Sequence, residues 1–266
     1  MVTIPAFQAE IPEVAPRRFG LLSVVDFTDS NDARFLAGVD FESKGCVLPV
    51  GFAAALCEAQ SPKTISDDDA PWSKGFAFTS YILRECRAVG QWQEFQQRAG
   101  ALYAAAEQNG IEQALWAYLT ATTTDVTDVT PTGGAVSPEI GVALLEGWAS
   151  RNYSGDPVIH APRAVGSTLG TKGVMERHGN KMETTLGATV VSGGGYSKIG
   201  PDLAAEVPAE SWLFATGQVV GWRGQMIAKG PFMVQSPRDN TAQAIAERPY
   251  ALAVDCGIAA VRVTAP

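Results

Sequence analysis

The stretch NTAQAIAERPYALAVDCGIAAVRVTAP, Asn240 to Pro266, holds two apolar runs, Tyr250 to Val254 and Ile258 to Val263, on either side of Asp255-Cys256-Gly257. β-Forming runs that flank a turn triplet read as two strands, so this stretch is expected to be locked into a sheet. Partners for those strands must lie elsewhere in the chain. The nearest candidate in character is Gly75 to Arg87, rich in the β-formers Phe76, Phe78, Thr79, Tyr81 and Ile82.

Behind that strand comes the longest periodic segment, Gln91 to Thr120. Trp92, Phe95, Ala99, Leu102, Tyr103 and Ala106 recur at steps of three and four, and Leu115, Trp116 and Leu119 resume the stripe. The pattern predicts one long helix with an aromatic face buried against a sheet, kinked or split at Asn109-Gly110. Thr120 to Gly134 is polar and of low complexity, which marks a subdomain boundary. Ser137-Pro138-Glu139 then opens a second helix, with serine as N-cap and proline at the first helical position. A short buried strand is expected at Pro157 to His160 and a weaker, glycine-broken helix at Pro162 to Met175. Further strands are expected at Ala188 to Ser192, Trp212 to Thr216, Val219 to Arg223 and Phe232 to Gln235.

Upstream, Pro5, Pro12 and Pro16 disfavour both helix and ladder strand, so the first 20 residues read as an extended arm. Phe19 to Phe27 and Arg34 to Phe41 are β-rich and separated by Thr28-Asp29-Ser30-Asn31-Asp32, a long hairpin signal. Ser61 to Pro71, with Asp67-Asp68-Asp69, reads as a surface loop.

The totals narrow the function classes. Across 266 residues, 46 % are apolar, enough for a buried core without staples. Twenty Lys and Arg against 28 Asp and Glu give a net charge of −8, which argues against a polyanion-binding surface over most of the molecule. The first ten residues have neither the basic head nor the apolar core of a signal peptide, so a cytosolic protein is expected. Cys46, Cys57, Cys86 and Cys256 lack metal or redox spacing and read as buried, reduced thiols; Cys46 and Cys57 are close enough in sequence to pair under oxidation.

No constellation specifies catalysis, a cofactor or a metal. The two histidines, His160 and His178, leave little material for proton shuttling. Ser154, Asp156 and His160 lie too close in sequence, without a nucleophile elbow, to converge as a triad, and His160 reads as a strand-end hydrogen-bonding residue. Gly193-Gly194-Gly195 has no Lys-Ser/Thr behind it and reads as a loop, not a phosphate cradle. Asp67-Asp68-Asp69 lacks the glycine and distal glutamate of a calcium loop. Trp72, Trp92, Trp116, Trp148, Trp212 and Trp222 are not interleaved with basic residues, so core or interface packing accounts for them better than base stacking.

Four motifs carry a family resemblance: LLEGWASRNYSGDPVIHAPR (Leu144 to Arg163), TLGATVVSGGGY (Thr185 to Tyr196), WLFATGQV (Trp212 to Val219) and AERPYALAVDC (Ala246 to Cys256). With the element order, they resemble the major capsid proteins of tailed bacteriophages, a fold shared with encapsulin shells and the herpesvirus capsid floor, and within it an actinobacteriophage-like subgroup.

The resemblance implies an α+β fold with an N-terminal arm (1–18), an extended β-hairpin loop (19–61), a peripheral domain (62–130 and 240–266) with a spine helix (91–120), and an axial α/β domain (131–239). It implies a virion protein, assembled in the host bacterial cytoplasm, with no catalytic activity. Its partners would be copies of itself in hexamers and pentamers, portal, scaffolding or decoration proteins, and double-stranded DNA bound without sequence preference; it would have no membrane association. Both C-terminal runs would pair in the sheet beneath the 91–120 helix, and a structure placing them elsewhere would break the capsid reading. Some members weld subunits by a Lys–Asn isopeptide bond; Lys44 and Asn240 could stand in those roles, though neither lies in a matched motif. Two other readings stay open: an encapsulin-like compartment, and a small α/β enzyme or ligand-binding protein using the cleft near His160 and Gly193 to Tyr196.

Overall fold

The computed structural model describes residues 14–15, 17–47, 72–86, 92–233 and 242–265. Most of the expected arm, together with Cys57, Asp67-Asp68-Asp69 and Asn240, lies outside the described residues. In chain order the early strands are β1 (Phe27–Asp29), β2 (Val39–Glu42), β3 (Trp72–Cys86) and β4 (Thr127–Asp128), with helix α1 (Trp92–Thr120) before β4. Helix α2 (Pro138–Asn152), β5 (Val158–Pro162), α3 (Arg163–Thr171), β6 (Met175–His178), β7 (Lys181–Thr184) and β8 (Thr189–Gly193) follow. The chain continues through β9 (Glu210–Thr216), β10 (Val219–Arg223), β11 (Ile227–Met233), β12 (Ala242–Val254) and β13 (Ile258–Thr264).

These strands form two sheets. The first is six-stranded, in the order β1-β10-β12-β3-β2, with β11 also paired to β12. Its spine is the antiparallel β12–β3 ladder, in register from Ala242 opposite Cys86 to Leu252 opposite Phe76. The second is seven-stranded, in the order β4-β13-β9-β5-β8-β7-β6.

Strand periodicity decides what α1 lies on. Phe76, Phe78 and Ile82 share one face of β3, and their partners Leu252, Tyr250 and Ala246 share the same face of β12. Beneath the first turns of α1 that face is small: Ala99 and Tyr103 sit on Ala244 and Ala246. Further along it is aromatic, with Phe76 stacked on Tyr118 at 4.4 Å and Phe78 on Tyr250 at 5.4 Å between ring centres. Ile111, Leu115, Trp116 and Leu119 then pack in one core with Tyr250 and Leu252 of the first sheet and Val158, Val191 and Phe214 of the second. The C-terminal half of α1 is thus held between the sheets. On the far side of the second sheet, α2 and α3 cover Ile159, Val190, Leu213 and Val261. Gly141 lets α2 approach closely, because a Cβ there would fall 2.5 Å from Val263.

Several expectations are corrected. Phe19–Phe27 and Arg34–Phe41 do not form a hairpin: β1 runs parallel to β10, and β2 pairs with β3. Parts of these runs instead form 3₁₀ helix, at Leu21–Ser23 and Ala33–Ala37, the second opened by Asp32, whose side chain accepts from the Arg34 N–H. Burial of Leu21 and Phe35 overrides the β-propensity of these runs. α1 is continuous through Asn109-Gly110, where glycine is needed for clearance: a Cβ on Gly110 would meet Ser80 Oγ at 2.6 Å.

The two C-terminal runs do not share a sheet. β12 lies beneath α1 as expected, but β13 pairs with β9 in the second sheet. Gly257, at φ +82°, turns the chain between them. Sheet membership therefore cuts across the expected boundary at 239/240, since β10 and β11 pair with β12. The β6–β7 hairpin, joined by Gly179-Asn180, was not anticipated. Cys46 and Cys256 are not free thiols but form a disulfide across 210 residues, which no local spacing could reveal.

Candidate functional site

The residues nominated for catalysis do not come together. His160 is fully buried on β5, with Nδ1 3.0 Å from the Tyr196 hydroxyl and Nε2 3.0 Å from Thr216 Oγ1. Thr216 donates its own proton to the Gly217 carbonyl at 2.8 Å, so its oxygen accepts from His160 Nε2–H and Nδ1 accepts from Tyr196. Burial holds the imidazole neutral, with its pKa pushed down to about 3. Burial, and after it the Glu112 charge, raises the Tyr196 hydroxyl, which stays protonated as the donor this geometry needs. Ser154 Oγ instead donates to the Val47 carbonyl at 3.2 Å, and the Asp156 carbonyl accepts from Gln218 at 3.0 Å. An imidazole fixed in one tautomer by two neutral partners is a structural strut.

Gly193-Gly194-Gly195 is a packing device. A Cβ on Gly193 would fall 2.6 Å from the Tyr196 ring, and one on Gly195 would fall 2.5 Å from the Asn109 carbonyl of α1. The Gly195 N–H donates to Glu112 Oε2 at 2.9 Å. Glu112 Oε1 accepts from the Leu21 N–H at 3.1 Å and from Gln108 Nε2 at 2.9 Å. This buried carboxylate thereby ties the Leu21 turn, α1 and the glycine loop together through three donors. Sequence reasoning missed it, because one glutamate on a helix stripe carries no signal of its own. The cleft beside it, lined by Arg17, Gln108 and Glu112, measures about 130 Å³, well under the roughly 300–1,000 Å³ typical of ligand pockets.

A second polar cluster sits on the α1–β12 contact. Arg248 pairs with Glu107 at 2.5 Å, Tyr250 donates to the same carboxylate, and Tyr103 donates to the Tyr250 oxygen at 3.4 Å. Trp116, Trp148 and Trp212 are buried in the cores. Lys44 lies 3.6 Å from Glu42 on the surface. Among the described residues no group of His, Cys, Asp and Glu is placed to hold a metal ion. Nor is any helix there long and apolar enough to cross a membrane.

Among the described residues, what remains unpartnered is a surface. On the first sheet, the face turned away from α1 carries Tyr81 (64 % exposed) and Leu83 (52 %), with Ile227 (39 %) two strands away. Register sets Tyr81 opposite Glu247 and Glu247 opposite Ile227, while Leu83 faces Ile245 and Ile245 faces Lys229. Phe35 closes this face near Gly224 and Pro249 but does not reach the Tyr81 end. A patch in which Glu247 sits between Tyr81 and Ile227, with Lys229 and Glu85 at its margin, is suited to being covered by another protein surface.

No protein-family model matches the chain, and no curated protein matches it. Solved structures do. The capsid of Ralstonia phage GP4 is 9 % identical with a TM-score of 0.52, over 100 % of this chain and 99 % of that one. The capsid of an empty GTA particle is 10 % identical with a TM-score of 0.50, over 96 % and 100 %. An encapsulin complex from Synechococcus elongatus is 12 % identical with a TM-score of 0.49, over 97 % and 93 %. β13 lies in the second sheet and so fails the placement expected of it, but the chain has the fold of the first two capsids along essentially its whole length, and the likeness rests on that match instead.

Proposed function

We propose that this chain is the major capsid protein of a tailed double-stranded DNA bacteriophage, self-assembling into the icosahedral shell that encloses the genome. The observation that carries the reading is the correspondence of 100 % of this chain with 99 % of a phage capsid chain. The bare row around Tyr81 and Leu83 supports it, because a sheet face of this kind is stable in water once a neighbouring subunit covers it. In this reading the first sheet with α1 is the peripheral domain and the second sheet with α2 and α3 is the axial domain meeting its copies at the symmetry axes.

A net charge of −8 fits a container whose DNA must slide and repack, since a strongly basic lining would hold phosphates in place. The protein then acts in the virion after assembly in the host cytoplasm, with portal, scaffolding or decoration proteins as further partners, and catalyses nothing. Size-exclusion chromatography and electron microscopy of the expressed protein test this. Closed particles of hexamers and pentamers are expected, whereas a stable monomer or dimer under every assembly condition overturns the reading. Particles recovered around an enzyme cargo would move it to a compartment shell.

A further inference from the structure

Residues 44–47 leave β2 and end at the corner where the chain passes from the first sheet to the second. Four contacts seat them there without any covalent bond. The Gly45 carbonyl accepts from the Ser154 N–H at 2.7 Å, and the Val47 carbonyl accepts from Ser154 Oγ at 3.2 Å. Gly45 lies flat against Tyr153 and Asp255: a Cβ there would fall 2.0 Å from the Tyr153 ring and 2.7 Å from Asp255 Oδ2. Tyr153 in turn donates to Asp255 Oδ2 at 3.1 Å and accepts from the Gln218 N–H at 3.0 Å. This joint sets the Cα atoms of Cys46 and Cys256 5.8 Å apart, within disulfide range. Both cysteines are partly exposed, so small thiols can reach them.

We propose that Cys46–Cys256 is a redox-set clasp, open as two thiols where the subunit is made and closed afterwards by exchange with a small-molecule disulfide such as oxidised glutathione. One cysteine thiolate attacks the small disulfide, giving a mixed disulfide and one released thiol. The second cysteine attacks the mixed disulfide and releases the other small thiol. The protein loses two electrons and two protons, and the small disulfide gains them. Closure fixes one end of the β2–β3 connection to the sheet corner and closes a loop of 210 residues. The order of events, open in a reducing cytosol and closed outside it, rests on the capsid reading.

The joint supplies its own optical reporter. A Cβ on Gly257 would lie 3.4 Å from Cys46 Sγ and 3.2 Å from the Trp148 ring, so the sulfur bridge sits close to an indole, whose emission disulfides quench. The full-length protein, equilibrated in reduced or in oxidised glutathione, is followed by non-reducing peptide mapping, thermal unfolding and tryptophan emission. In oxidised buffer a Cys46–Cys256 cross-linked peptide is expected, with Tm raised by roughly 5–15 °C over reduced buffer. Cys46→Ser and Cys256→Ser should each abolish the redox-dependent shift, and Trp148→Phe should abolish most of the emission change. A bridge through Cys57, a bridge that resists reduced glutathione in the folded protein, or a wild-type Tm indifferent to redox buffer would each overturn the clasp. Electron microscopy of the same samples keeps the two readings apart: particles that carry no link in oxidised glutathione refute the clasp alone, and the link without particles in any buffer refutes the shell alone.

Discussion

The two sheets are finished to different degrees. The second is covered on one face by α2 and α3 and on the other by the C-terminal half of α1, so its apolar residues are satisfied within one chain. Among the described residues, the first has α1 on one face, and on the other Phe35 near Gly224 and Pro249, with Tyr81, Leu83 and Ile227 exposed. Both sheets come from the same apolar-rich composition, yet among the described residues only the first presents an exposed apolar group on the face of its strands. The difference separates a sheet whose strand faces are covered within the chain from one that keeps an open strand face.

Three measurements break or sharpen that contrast. The largest effect is expected from Phe214→Ala, which removes a buried ring packed edge-on to Trp116 at 4.9 Å between the sheets. A loss of about 3–5 kcal/mol in denaturant unfolding should follow. Both sheets should melt in a single transition; a biphasic curve would mean that they are independent.

The next effect is a pH dependence within the inter-sheet core. The His160 pKa is depressed to about 3 in the folded protein from an ordinary 6.5, so the unfolded chain takes up a proton that the folded one refuses. This contribution to stability is fully present above pH 6.5 and is lost as pH falls towards 3, at about 1.4 kcal/mol per pH unit. His160→Gln should flatten the slope between pH 6.5 and 4.5, and a slope equal to wild type would remove His160 as its source.

The smallest effect on the subunit is expected from Tyr81→Ser combined with Leu83→Ser. Unfolding free energy should change by no more than about 0.5 kcal/mol, as for most exposed positions, while particle yield by electron microscopy falls sharply. Unchanged yield would mean that the bare face is not an assembly contact.

What the sequence disclosed follows from how far each signal reaches. The stripe of Trp116 and Leu119 and the Ser137-Pro138 start are local, and α1 and α2 fall where those residues place them. Val219–Arg223 was legible as a strand, yet nothing in it says that its partner is β12. Partner choice depends on which faces meet in three dimensions, and so the hairpin assigned to Phe19–Phe41 dissolved into two strands serving different neighbours. Glu112 and the Cys46–Cys256 pair were invisible for the same reason, each being defined by segments far apart in the chain. The Gly179-Asn180 hairpin is different, because a two-residue glycine-asparagine link between strands is a local signal that was present and went unread.

The position of the last two strands also governs when the molecule can fold. β12 lies between β10 and β3 in the middle of the first sheet, and β13 lies between β4 and β9 in the second. Every other strand is synthesised before them. A nascent chain that has not yet released residues 242–264 therefore lacks an interior strand from both sheets and can complete neither. Completion of both sheets waits until residues 242–264 are released, and β3 stays unpaired along most of its length until β12 arrives, which makes that interval the time of greatest exposure to aggregation and to chaperones.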